Sequence, residues 1–292
     1  TSTLSAKILL PAVLSHNMVL QQKSHVKLWG KAIPNSCVSV RTSWNNQMSV
    51  TQSDMNGNWQ LTVLTPSAGG PYEISITDGE ETILKDILIG EVWLCSGQSN
   101  MALPLSGRAG QPVEGANEIL VRAKESLPLR VFTVVSSSSE TPQDNVKGKW
   151  LKSTSENLQN TSAVAYFYGQ LLQETLDVPI GLIVSAYSGS QIESWLPEHP
   201  SCYLYNAMIH PLKNYTLKGF LWFQGESNCI DPQLYSKLFP KLPKGFRDVW
   251  GLGELPFYYV QIAPYAYHWL EETAAARVRE VQLKNEMLIP NA

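Results

Sequence analysis

Two short polar segments each follow an apolar run. Glu91-Val92-Trp93-Leu94-Cys95 leads into Ser96-Gly97-Gln98-Ser99-Asn100-Met101, and Phe220-Leu221-Trp222-Phe223 leads into Gln224-Gly225-Glu226-Ser227-Asn228. A serine just past a strand, beside a glycine that lets a substrate come close, has the placement of a nucleophile. The second segment offers amides and a carboxylate at another strand end. Two such ends in one parallel sheet converge on one crevice. Gly-x-Ser also occurs in ordinary turns, and position 101 is Met where the Gly-x-Ser-x-Gly elbow has its second glycine. That departure argues against an α/β-hydrolase elbow.

A serine nucleophile needs a base, and the five histidines are His16, His25, His199, His210 and His268. His199 and His210 each precede a proline; the other three have no motif around them. None forms an i, i+4 pair, and no cysteine cluster accompanies them, so no metal site is expected. Cys37, Cys95, Cys202 and Cys229 fit neither a zinc nor a redox spacing. Cys95 reads as a small core residue, and Cys202 with Cys229 is the one candidate bridge.

The elements that position these groups fall into two styles. Residues 1 to about 90 carry short runs of β-formers at 19–22, 26–30, 37–40, 59–64 and 72–76, separated by Asp, Asn, Gly and Pro. Strands at that spacing predict a β-sandwich. From about residue 87 strands alternate with helices, which favours a parallel sheet wrapped by helices. A helix is predicted over 115–126 and a strand over 129–134. From Thr161 the positions Val164, Phe167, Tyr168, Leu171, Leu172 and Leu176 fall on one face of an amphipathic helix. A buried strand is expected at 180–186. Asp231-Pro232 reads as a helix N-cap with proline at the first position; Pro240 and Pro243 interrupt the helical pattern after it. A strand at 256–263 and a helix over 271–288 complete the expected order. The expected domains are 1–90 and 91–292.

At 292 residues the chain has ample core for one large or two smaller domains. Its 43% hydrophobic and 16% charged content is that of a globular protein, and a net charge of −3 gives no field for nucleic acid. No run of about 18 apolar residues is present, so no membrane-spanning helix is expected. Thr1-Ser2-Thr3-Leu4 has neither Met nor a charged-then-apolar leader, and the expectation is an extracytoplasmic protein. The nine Trp and twelve Tyr are chiefly packing residues whose faces also suit sugar rings.

Taken together, the two polar segments resemble blocks I and III of the SGNH (GDSL-like) hydrolases, in the variant of the sialate O-acetylesterases and related acetylxylan esterases. Further stretches agree: Val178-Pro179-Ile180-Gly181-Leu182-Ile183, Ile192-Glu193-Ser194-Trp195, Leu204-Tyr205-Asn206-Ala207-Met208-Ile209 and Leu255-Pro256-Phe257-Tyr258-Tyr259-Val260-Gln261. The resemblance covers nearly the whole chain. It implies a three-layer α/β/α esterase domain after the β-sandwich, no cofactor, and an acetylated carbohydrate substrate. It also implies Ser99 as nucleophile and Gly189 as an oxyanion N–H, although Ser188 stands where relatives have a first glycine. The side-chain amide of the oxyanion hole would come from Gln224 or Asn228, with Glu226 binding a sugar hydroxyl or bracing the loop. The family's Asp-x-x-His does not occur in the chain, so the catalytic His is expected outside these residues, and 195–205 and 267–277 look shortened relative to the family. Two rival readings stay open: a glycan-binding protein with a degenerate esterase site, and a general small-ester esterase or lipase.

Overall fold

The computed structural model describes residues 8–268 and 270–292; the N-terminal Thr1-Ser2-Thr3-Leu4 lies outside them. The first seven elements are strands: β1 (Val19–Gln21), β2 (His25–Lys31), β3 (Cys37–Thr42), β4 (Met48–Gln52), β5 (Asn58–Leu64), β6 (Gly69–Thr77) and β7 (Glu81–Gly97). β2 and β5 form a two-stranded antiparallel sheet. Their alternation turns Val26, Leu28, Trp59, Leu61 and Val63 inward, into one core with Val38, Val40, Ile74 and Ile76 of β3 and β6. β4 had no signal in the sequence for a physical reason: none of its residues is buried.

β7 is 17 residues long and buried throughout 87–97. Its first half pairs antiparallel with β6, and at Leu88, Ile89 and Gly90 it pairs in parallel with β1. Its second half enters a parallel ladder between two later strands, β10 (Ile180–Ala186) and β11 (Gly219–Phe223). The expected boundary at residue 90 therefore falls inside a strand of one ten-stranded sheet. Where β1 ends, the side chain of Gln21 continues its work. Gln21 Oε1 accepts the Val92 N–H at 2.9 Å, and its Nε2 donates to the buried Glu91 carboxylate, which also accepts from Gln22 at 2.7 Å. With Lys218 Nζ 3.8 Å from its Oε2, Glu91 sits in the sheet interior both hydrogen-bonded and ion-paired.

Around that centre the order is β9–β8–β10–β7–β11–β12, with β8 (Leu129–Thr133), β9 (Trp150–Lys152) and β12 (Phe257–Tyr259). All are parallel except the edge strand β9. Alternate β7 residues feed two cores: Val92 and Leu94 face one, Trp93 and Cys95 the other. Helices cover both faces. α1 (Ala116–Arg122), α2 (Ser155–Leu158) and α3 (Ala163–Leu176) lie on the Trp93 side; α4 (Pro232–Leu238), α5 (Lys241–Trp250) and α6 (Ala274–Asn285) lie on the Val92 side. The fold is α/β with a large mixed sheet.

Three sequence expectations change. The fully buried residues of α3 are Ala163, Ala165, Tyr166 and Gly169; of the predicted face, Val164, Tyr168 and Leu172 pack against the core partly buried, while Phe167, Leu171 and Leu176 are 41%, 62% and 48% exposed. Small residues let the helix lie close on the sheet: a Cβ at Gly169 would come within 2.7 Å of Leu182 Cδ1. Pro243 does not break a helix but sits in the first turn of α5, where its missing N–H has no intrahelical acceptor anyway. All four cysteines are free, so the Cys202–Cys229 bridge does not form. Asp231 does cap α4, accepting from Leu234 N at 2.9 Å.

Gly90 marks the tightest passage beside β7. A Cβ there would lie 1.8 Å from the Pro179 carbonyl, backbone that cannot rotate away. Gly90→Ala should cost about 1–3 kcal/mol or more as an overpacking change, read from the urea midpoint at constant m-value.

Candidate functional site

β7, β10 and β11 finish level with one another: Gly97 pairs with Ala186 on one side and Phe223 on the other. The chain leaving each strand therefore emerges at the same sheet edge. Ser99 is two residues past β7, Gly189 three past β10, and Gln224 one past β11. Such C-terminal edges are where open α/β sheets form their crevices.

Gly97 makes the first turn. Its φ is 143°, and a Cβ would lie 2.1 Å from the Phe223 carbonyl, so neither conformation nor space admits a side chain. Gln98 then locks two loops together. Its backbone N–H donates to Phe223 O at 3.0 Å, and its buried Oε1 accepts from the N–H groups of Gly225 and Ser227, each at 3.2 Å. Ser99 follows, half-buried, and no described residue hydrogen-bonds its hydroxyl.

The Gly189 turn is held as firmly. Tyr187 N donates to Gly97 O at 3.0 Å, tying this loop to the end of β7. Ser190 Oγ donates to Tyr187 O and accepts from the Trp195 indole at 2.9 Å. Gly189 adopts φ 74° with nothing within 4 Å of a Cβ position. Its need for glycine is conformational, and the space above it is open.

The two candidate amides are engaged to different degrees. Gln224 is fully buried, and its Nε2 donates to Ser190 O at 3.2 Å and to Asn228 Oδ1 at 2.7 Å, which engages both protons. It is a brace between the second and third loops rather than a free donor. Asn228 Oδ1 also accepts from Ile192 N, fixing the amide orientation, and its Nδ2 donates to Glu193 Oε2 at 2.9 Å. One Asn228 proton has no partner among the described residues.

Glu226 accepts a very short hydrogen bond from Asn100 Nδ2, while its Oε2 is buried without a partner among the described residues. Burial raises its carboxyl above the usual range, and the Asn100 bond opposes the rise. Tyr267, in the loop after β12, lies close enough to feel Cys229 and Glu226; burial first and these neighbours second push its phenol to about 12. His210 is drawn elsewhere. Its Nδ1–H donates to Gln143 O at 3.0 Å and its Nε2 faces Lys213 Nζ at 2.7 Å, so both ring nitrogens are engaged away from Ser99. His199 Nδ1 accepts from Ser201 N, and His16 Nδ1 from Lys85 N. Among the described residues no cluster of His, Cys, Asp and Glu could hold a metal.

A profile of the carbohydrate esterase, sialic acid-specific acetylesterase family matches residues 89–292. The chain belongs to this family. The sialate O-acetylesterase of Homo sapiens is 32% identical over 298 residues, covering 86% of this chain and 56% of its own length. That of Mus musculus is 30% identical over 352 residues, covering 95% and 64%. The chain thus spans little more than half the length of these curated relatives. The mouse alignment is longer than the chain itself, so that relative carries extra residues within the matched span. A carbohydrate acetylesterase from Xanthomonas citri superposes with a TM-score of 0.90 at 31% identity, over 98% of this chain and 67% of its own.

Within this family member, sequence reasoning missed Asn100, Glu193, Tyr267 and Gln282 as site residues. Asn100 and Glu193 lie inside motifs already singled out. Gln282 had no signal: it sits on α6, donates to Gln224 O at 2.9 Å and accepts from Ile262 N at 2.9 Å.

The raised Glu226 carboxyl fixes a pH dependence. A carboxyl whose folded pKa is above its unfolded value favours folding below the unfolded value near 4.5 and loses that contribution as pH climbs through the folded value. Glu226→Gln keeps an acceptor for Asn100 and removes the buried charge. Its Tm should exceed that of the parent protein at pH 7, and the difference should shrink as pH falls toward 4.5, in paired thermal melts.

Proposed function

We propose that the protein is a serine carbohydrate O-acetylesterase, with Ser99 as nucleophile. The observation that carries this reading is the level finish of β7, β10 and β11. It sends a half-buried serine with an unengaged hydroxyl, a positive-φ glycine turn and an amide-rich loop out of one edge. Ser99 Oγ attacks the acetyl carbonyl and passes its proton to a histidine; this base rests on the family resemblance alone, since His210 is engaged elsewhere. The tetrahedral oxyanion sits against the N–H groups of Ser99 and Gly189, with the remaining Asn228 proton as the side-chain donor. The C–O bond to the sugar then breaks, the histidine returns the proton to the sugar oxygen, and water releases acetate from Ser99 by the same route. Glu226 and Asn100, neighbours of Ser99 in the two motifs, are the pair for a substrate hydroxyl.

The substrate is an O-acetylated glycan of the sialic acid or xylan type, which goes with an extracytoplasmic setting. The polar Gln-Gly-Glu-Ser-Asn loop does not suit a lipid acyl pocket. The N-terminal strands are read as a β-sandwich domain over 1–90, packed against an SGNH-type three-layer unit over 91–292, with β7 shared between them.

A fluorophosphonate should label the full-length protein at Ser99, and Ser99→Ala should abolish both the adduct and acetate release. Intact-mass spectrometry reads the adduct. A folded protein that takes no label while a small-ester control enzyme does would exclude the hydrolase and leave a glycan-binding protein. Acetate release from acetylated sialic acid against acetylated xylan separates the two substrate types.

A further inference from the structure

A cavity of about 1000 Å³ lies outside the Ser99 crevice; Ser99, Gly189, Gln224, Glu226 and Asn228 all lie outside its lining. Its floor includes the outward face of the β2–β5 ladder, where Trp29 stands opposite Gln60 and Lys31 opposite Asn58. Trp29 is half-buried, and Gln60 is exposed. Trp59 lines the cavity from the inner side of the same ladder, and its buried indole N–H has no acceptor among the described residues. The far wall is the chain around Gln143 and His210.

Among the described residues the charges of this lining are balanced, and two of the four are committed. Lys31 and Lys213 are offset by Asp54 and Asp144. The Asp54 carboxylate is taken up by the N–H groups of Asn56 and Asn58 and by the Asn58 amide, and Lys213 is turned onto His210. An anionic ligand would need an excess of cations, which the described residues of this lining lack. What remains is indole surface beside neutral amides. That combination suits a sugar, whose C–H face packs on an aromatic ring while its hydroxyls exchange hydrogen bonds with amides. The volume exceeds what one monosaccharide fills, so several consecutive residues of a chain fit.

We propose that this cavity is a non-catalytic binding site for a neutral oligosaccharide chain, built on Trp29 and Gln60. It gives an acetylated polymer a second point of attachment, which raises its local concentration at the crevice without any new contact to the reacting ester. The site stands on its own lining and holds whether or not Ser99 is a nucleophile.

Isothermal titration calorimetry of the full-length protein with unacetylated xylohexaose, cellohexaose and sialyllactose tests this. At least one neutral hexaose should bind saturably. Trp29→Ala should weaken it by about tenfold and Gln60→Ala by a smaller factor, with p-nitrophenyl acetate hydrolysis unchanged in both. If Trp29→Ala does not fold by circular dichroism, Gln60→Ala, which removes an exposed side chain, carries the comparison. Absence of binding by both neutral hexaoses, binding of sialyllactose alone, or hexaose affinity unaffected by the folded variants would each overturn the assignment.

Discussion

One buried carbonyl oxygen joins the two halves of the site. Gln98 Oε1 takes the backbone N–H groups of Gly225 and Ser227, so the loop that carries Ser99 and the loop that carries Glu226 and Asn228 share their hydrogen bonds. Without that oxygen the Gly225 and Ser227 N–H groups would lose their partner, and a buried unpaired N–H is costly. The position of the serine is therefore set by the other motif as much as by its own strand. Gly97 and Gly225 make the geometry available. The first lets β7 turn against the Phe223 carbonyl, and the second leaves room for Ile262, Gln282 and Val278 to close over the loop.

A second layer stiffens what the first positions. Gln282 on α6 holds Gln224 O, Gln224 holds Ser190 O and Asn228 Oδ1, and Asn228 holds Ile192 N and Glu193. The chain of amides runs from a helix through the third loop to the Gly189 turn. Amide side chains suit this task because each can both donate and accept, so a buried line of them carries dipoles without a net charge, although Gln224 Oε1 has no partner among the described residues. A crevice for an oxyanion gains from such fixed dipoles, because the donors need not reorganise when charge develops.

Much of this was legible in the sequence because the motifs are local. Strand ends at Gly97 and Phe223, the Asp231 cap and the all-β character of the first ninety residues follow from period, glycine and capping chemistry. What escaped is what depends on a partner far along the chain. Phe167, Leu171 and Leu176 look like part of a core face, yet they stay exposed while α3 buries Ala163, Ala165, Tyr166 and Gly169, because close approach to Leu182 and Leu129 favours glycine at 169. β4 escaped because its side chains stay in solvent. Gln224 looked like a ready donor because its residue type is right; only the fold shows both protons already engaged. Gln282, on α6, carried no motif at all.

The continuity of β7 has a consequence for how the molecule comes apart. A strand that runs through both halves of the ten-stranded sheet cannot be melted at one end while the other keeps its register, since slipping it by one residue would exchange the occupants of every core it crosses. The amino-terminal strands and the serine are thereby coupled as a single cooperative block. Amides of 88–96 should exchange with solvent at one common rate, governed by opening of the whole molecule.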